Sequence, residues 1–154
     1  MQNKKSHIKI EKKYIGDNGY FEGYASIFNE LDYDGDIILP GAFRESLLLN
    51  KSIKLLWQHN PEEPIGSFID VFENTNGLYV KAELILAVSK GKEAYALMKA
   101  GALDSMSIGY RVDDFFYAKG FRYIKKLSLW EISLVTFPAN ERAKITDCKY
   151  RYGR

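Results

Sequence analysis

Asp104-Ser105-Met106-Ser107-Ile108-Gly109-Tyr110 alternates small or polar residues with large apolar ones. Successive side chains of a strand point to opposite faces, so a period of two describes a strand. Met106, Ile108 and Tyr110 then share one face, and Ser105, Ser107 and Gly109 share the other. A second stretch repeats the pattern. In Ser128-Leu129-Trp130-Glu131-Ile132-Ser133-Leu134-Val135-Thr136-Phe137, Trp130, Ile132 and Leu134 alternate with Glu131, Ser133 and Val135. A carboxylate therefore sits inside an otherwise apolar strand, where it is costly to bury without a hydrogen-bond partner.

Outward from these two stretches, short strands outnumber helices. Ile8 and Ile10 alternate with charges and predict a first strand, joined by a turn at Gly16-Asp17-Asn18-Gly19 to a hairpin partner over Tyr20–Phe28. Asp32–Gly41 is expected to be a loop containing a short apolar piece, Ile37-Ile38-Leu39. Pro40-Gly41 is expected to open a short helix with Phe43 and Leu47 on one face. Ile53–Trp57 predicts a strand ending at Gln58-His59-Asn60, with Pro61 as its breaker. Ile65–Phe72 and Leu78–Leu86 predict a hairpin across Asn74-Thr75-Asn76-Gly77. Gly91–Ala100 predicts a second helix, with Ala94 and Met98 on its buried side and Gly101 as its C-terminal stop. Ser105–Val112, Phe121–Leu127 and Trp130–Phe137 complete the set. The pattern describes a β-rich α+β domain, a barrel or sandwich decorated with two helices.

With 154 residues and no repeat or linker, one domain is expected over 1–154, with a core over about 8–140 and a polar tail over 141–154. Hydrophobic residues at 46% and charged residues at 27% exclude a disordered chain. A net charge of +2, with the basic residues scattered, gives no footprint for nucleic acid. No stretch has transmembrane length and no signal peptide is visible, so a cytoplasmic protein is expected, without membrane association. A single cysteine, Cys148, forbids an internal disulfide and is expected to be an incidental surface thiol.

Zinc is not expected, because no cysteine or histidine pair is present to bind it. Asp32-Tyr33-Asp34-Gly35-Asp36 fails the spacing of a calcium loop and is expected to be a polar turn. No glycine pattern for phosphate is present, so no cofactor is expected. Nucleophilic catalysis fits better. His7 lies among lysines, which leaves His59 as the one good base. Ser107, beside Gly109 with room for a peptide, is the candidate nucleophile. Glu131 is the candidate partner for an imidazole Nδ1–H. On local sequence alone, His59 is better described as a partly exposed loop histidine. Ser107 fits a solvent-facing small residue equally well, and Glu131 a surface glutamate.

Several blocks occur in one order: Phe21-Glu22-Gly23-Tyr24-Ala25-Ser26-Ile27-Phe28, Leu39-Pro40-Gly41-Ala42-Phe43, Leu56-Trp57-Gln58-His59-Asn60 with Pro64-Ile65-Gly66, and Met106-Ser107-Ile108-Gly109-Tyr110 followed by Leu129 to Asn140. Together they resemble the HK97-type caudoviral prohead protease family, the capsid-maturation proteases of tailed bacteriophages. The resemblance spans roughly Tyr20 to Ala143. It implies a herpesvirus-protease-like β-barrel flanked by a few helices. It implies a serine endopeptidase of a phage or prophage, acting inside the procapsid in the host bacterial cytoplasm. Its substrate would be the major capsid protein or its scaffold, and often the protease itself. A homodimer or a higher homo-oligomer is left open.

Carried over residue by residue, the family's serine falls on Ser107, its histidine on His59 and its acidic residue on Glu131. Herpesvirus relatives use a second histidine in that third role, and this chain has none to spare. The Pro138-Ala139-Asn140 turn, with Arg142, is the expected source of oxyanion donors. The family's C-terminal extension is expected to be short or missing. The competing readings are a non-catalytic barrel serving as an internal scaffold module, and a different hydrolase on the same barrel.

Overall fold

The computed structural model describes residues 3–4, 7–9, 18–32 and 35–137. Their elements run β1 (Asn3–Lys4), β2 (His7–Lys9), β3 (Tyr20–Ile27), β4 (Asp36–Ile38), α1 (Arg44–Leu49), β5 (Lys54–Trp57), β6 (Asn60–Glu73), β7 (Gly77–Leu84), α2 (Ser89–Lys99), β8 (Ser105–Ala118) and β9 (Phe121–Val135). The strands form one sheet in the order β1-β8-β9-β5-β6-β7-β3, with β2 also on β8 and β4 also on β9. The sheet curls into a half-barrel. β8 and β9 are its longest pair, antiparallel from Ser105↔Val135 to Ala118↔Phe121.

The alternation in β8 is what fills the curl. Met106, Ile108 and Tyr110 are fully buried, and Ile132 and Leu134 of β9 meet them from the next strand. Phe21 of β3, the last strand in the sheet order, belongs to the same core cluster. Two devices tie the outer elements on. Glu22 on β3 accepts hydrogen bonds from the phenols of Tyr20 and Tyr79, each at 2.5 Å, which links β3 to β7. The hydrogen bond to Glu22, with burial and charge repulsion behind it, pushes the Tyr20 phenol up to about 12. The Asn74 side chain accepts the N–H groups of Asn76 and Gly77, closing the β6–β7 hairpin at the expected turn.

Both helices pack on the sheet. α2 buries Ala94, Tyr95 and Met98. It stops as the sequence predicts: Gly101 takes φ +79°, its N–H donates to Met98 O, and Ala102 N–H donates to Leu97 O. α1 begins later than Pro40, because residues 40–43 form a turn. No side chain of its own caps it. Instead Gly41 N–H and Phe43 N–H donate to the two carboxylate oxygens of Glu73, at 3.0 and 2.8 Å. Phe43 is fully buried, and Leu129 N–H donates to Ser46 Oγ at 2.8 Å.

Other expectations are revised. Among the described residues, β2 pairs with β8, not with β3 in a hairpin. Pro61 does not break a strand. It lies within β6, where two register shifts against β5 accommodate residues that cannot donate to a regular ladder. The apolar Ile37-Ile38 piece is no loop but part of β4, parallel to β9. Its anchor is Asp36, whose carboxylate accepts from Arg122 Nε at 2.7 Å and Nη2 at 2.9 Å. Asp36 and Arg122 are buried, and the paired carboxylate raises the guanidinium further above its ordinary value.

Removing one member of this pair leaves a buried charge uncompensated. Asp36→Ala is expected to destabilise the protein by about 3–5 kcal/mol, read as a lower urea midpoint. Replacing both residues (Asp36→Leu with Arg122→Met) is expected to restore most of that loss. An Asp36→Ala midpoint equal to wild type would refute the anchor role.

Candidate active site

β5 and β6 are joined by two residues. Trp57 pairs with Asn60, and between them Gln58 and His59 have φ of +50° and +60°. Positive φ at both central residues marks the type I′ hairpin turn, which usually carries Asn or Gly. For other residues the left-handed conformation costs about 1–2 kcal/mol each, so something must hold it. The end of β9 does so. Gln58 N–H donates to Leu134 O at 2.9 Å, and the Gln58 amide donates to Thr136 Oγ1 at 2.5 Å. His59 N–H donates to Ser133 Oγ at 3.1 Å. β5 runs parallel to β9 with Leu56 beside Ser133 and Trp57 beside Leu134, so the turn lies directly over that strand.

The β8–β9 register supplies the rest. Ser107 is opposite Ser133, and Gly109 is opposite Glu131. Alternation puts all four on one face, where His59 arrives from the turn. His59 Nε2 lies 2.8 Å from Ser107 Oγ, and Nδ1 lies 2.6 Å from Glu131 Oε2. A carboxylate only accepts, so Nδ1 carries the proton and Nε2 offers its lone pair to the Ser107 hydroxyl. Ser133 Oγ donates to the other oxygen, Glu131 Oε1, at 2.8 Å. The His59 and Glu131 side chains keep 14% and 16% exposure, whereas Ser107 is 1% exposed.

The three singled-out residues are thus brought together, and two sequence readings change. Gly109 does not leave room for a peptide. A Cβ there would fall against Glu131, 2.7 Å from its carboxyl carbon, so the absent side chain makes room for the carboxylate. Trp130 does not share the inward face of Ile132 and Leu134. The register jumps so that Gly109 faces Glu131 and Tyr110 faces Leu129, and the extra residue, Trp130, turns out to 44% exposure. Ser133 and Gln58 were missed. Ser133 was visible only as a hydroxyl in an apolar run, and Gln58 carried no signal.

The Pro138-Ala139-Asn140 turn, Arg142 and Cys148 lie outside the described residues. Among those described, no group of three or more His, Cys, Asp or Glu could hold a metal ion. No helix among them is long and apolar enough to cross a membrane.

Residues 6–152 match the family described as Caudovirus prohead serine protease. The chain belongs to this family. Its activity is serine proteolysis in prohead maturation. The prohead protease of Enterobacteria phage HK97 is 41% identical over 151 residues, covering 94% of this chain and 67% of that relative. The prohead protease of Escherichia phage T5 is 32% identical over 124 residues, covering 77% and 58%. A capsid polyprotein of Pseudomonas phage PAJU2 is 35% identical over 105 residues, 63% of this chain and 16% of the polyprotein. The solved bacteriophage T4 capsid assembly protease, gp21, has the same fold, with a TM-score of 0.65 at 13% identity over 89% of this chain and 98% of that one.

The crowding at Gly109 has a direct consequence. Gly109→Ala is expected to push the Glu131 carboxylate off His59 while leaving the sheet paired. A crystal structure of the variant would show a broken Nδ1–Oε2 contact and an unchanged β8–β9 register. An intact contact at 2.6 Å would contradict the steric account.

Proposed function

We propose that Ser107 is the nucleophile, His59 the general base and Glu131 the orienting acid of this protease. The observation that carries the reading is the continuous hydrogen-bonded chain from Ser107 Oγ through His59 to Glu131, at 2.8 and 2.6 Å. These residues come from three separate segments, and such a constellation is recognised by geometry and role, not by sequence position.

In this reading Ser107 Oγ attacks the scissile carbonyl carbon and gives its proton to His59 Nε2. Glu131 holds the imidazole in the Nδ1–H tautomer and stabilises the imidazolium. The imidazolium then donates its proton to the leaving amine, and an ester on Ser107 remains. Water, losing a proton to His59, attacks that ester and releases the second product, restoring the Ser107 hydroxyl.

The proposed substrate is the capsid polypeptide or its scaffold, cut inside the procapsid in the host cell. The name of the PAJU2 relative, capsid polyprotein, supports that substrate class. A single protease domain over 1–154 is part of the same reading, supported by one core cluster running from Phe21 to Leu134.

Ser107→Ala is expected to leave the capsid polypeptide uncut, with kcat lower by about 10⁶-fold. Glu131→Gln keeps the shape but no longer fixes the tautomer, and a fall of about 10⁴-fold is expected. Both are read by gel analysis of capsid protein co-expressed or mixed with the variant. Cleavage by Ser107→Ala at the wild-type rate would overturn the proposal and favour an inert assembly module.

A further inference from the structure

We infer that Ser133 is a positioning residue for this reaction, setting the His59 backbone and the Glu131 carboxylate with a single hydroxyl. The inference rests on the triad reading above and extends it. Ser133 is fully buried at 0% exposure, and its Oγ has one proton and two lone pairs. The proton goes to Glu131 Oε1 at 2.8 Å, because a carboxylate cannot donate. A lone pair takes the His59 N–H at 3.1 Å. The hydroxyl is therefore engaged in both directions, each time with a member of the proposed triad.

Each bond constrains one degree of freedom that the chemistry needs. Glu131 presents Oε2 to His59 Nδ1, and Ser133 on Oε1 stops the carboxylate from rotating away. His59 stands in a left-handed turn built without Asn or Gly, and its N–H bond to Ser133 is one of the contacts holding that backbone. Ser133 is the cross-strand partner of Ser107 and lies two residues from Glu131 on the same face, so its hydroxyl reaches both His59 and Glu131. A residue present only to fill the small space opposite Ser107 could as well be alanine. The two aimed hydrogen bonds are what alanine lacks.

The test compares wild type, Ser133→Ala, Ser133→Thr and Ser107→Ala as full chains on the capsid polypeptide. Ser133→Ala is expected to lower kcat by about 10- to 100-fold at unchanged KM, the size of effect a small misplacement of reacting groups produces. Its folding midpoint is expected to fall only by what the loss of one buried hydroxyl's hydrogen bonds costs, with the protein still fully folded under assay conditions. The downfield proton resonance of the His59 Nδ1–H bonded to Glu131 should broaden or vanish. Ser133→Thr, which keeps the hydroxyl, is expected to regain most of the lost kcat. A Ser133→Ala protein with wild-type kcat overturns the inference. So does a loss carried by the midpoint and KM with the downfield resonance intact. If Ser107→Ala remains active, the triad reading itself fails. If Ser107→Ala is dead while Ser133→Ala is unaffected, only the Ser133 inference fails.

Discussion

The antiparallel pairing of β8 with β9 sets the position of almost everything else. Its register puts Ser107 against Ser133 and Gly109 against Glu131, with Ile108 against Ile132 between them. A shift by one residue would turn each of these side chains to the opposite face. The pairing is held from the inner side by Met106, Ile108, Ile132 and Leu134, all fully buried. Large apolar residues in the core thus align polar residues on the reverse face. The same strand that carries Glu131 and Ser133 also receives the β5–β6 turn, through Leu134 O, with Thr136 Oγ1 just past its end. Strand β9 is therefore the reference element for Ser107, His59 and Glu131 alike.

Against this scaffold, the candidate site concentrates unfavourable local choices. Gln58 and His59 occupy left-handed conformations that their side chains disfavour. Glu131 stands partly buried beside a glycine that leaves it no spare room. A bulge at Trp130 breaks the ladder just before Glu131. Bulges and strained turns cluster where a chain must aim particular side chains, and the surrounding structure compensates them. Here the compensation is visible as hydrogen bonds donated by the turn to β9 and as the Ser133–Glu131 bond. Elsewhere the chain follows regular rules: the Gly101 helix stop, the Asn74 hairpin turn and the Asp36–Arg122 anchor each satisfy local donors and acceptors.

Much was legible from residue order alone. Strand alternation identified β8 and both halves of β9, which the sequence reading split into two strands where the structure has one continuous strand, and their polar face held the serine and the carboxylate. The shortage of histidines pointed to His59. The ordered blocks identified the family and its serine protease activity. These features are local or compositional: side-chain period, residue counts and the succession of motifs need no knowledge of which strands are neighbours. The β5–β6 turn was not legible, because Gln-His lacks the Asn or Gly that marks such a turn. Pro61 misled for a related reason, since two register shifts with β5 leave room for prolines inside β6.

Only the tertiary structure decided what the small residues are for. Gly109 read as open space for a peptide, yet the space belongs to Glu131 from the neighbouring strand. Ser133 was one polar residue in an apolar run, and its meaning came from two partners, one on β9 itself and one 74 residues away. Trp130 left the inner face because of a bulge that depends on the partner strand's register. The sequence by itself determined most of the strands, through local period, and the family, through the order of its blocks, and it brought Ser107, His59 and Glu131 forward as candidates. Register, the bulge and the hydroxyl bridge depend on cross-strand distances, and these exist only once the sheet has formed.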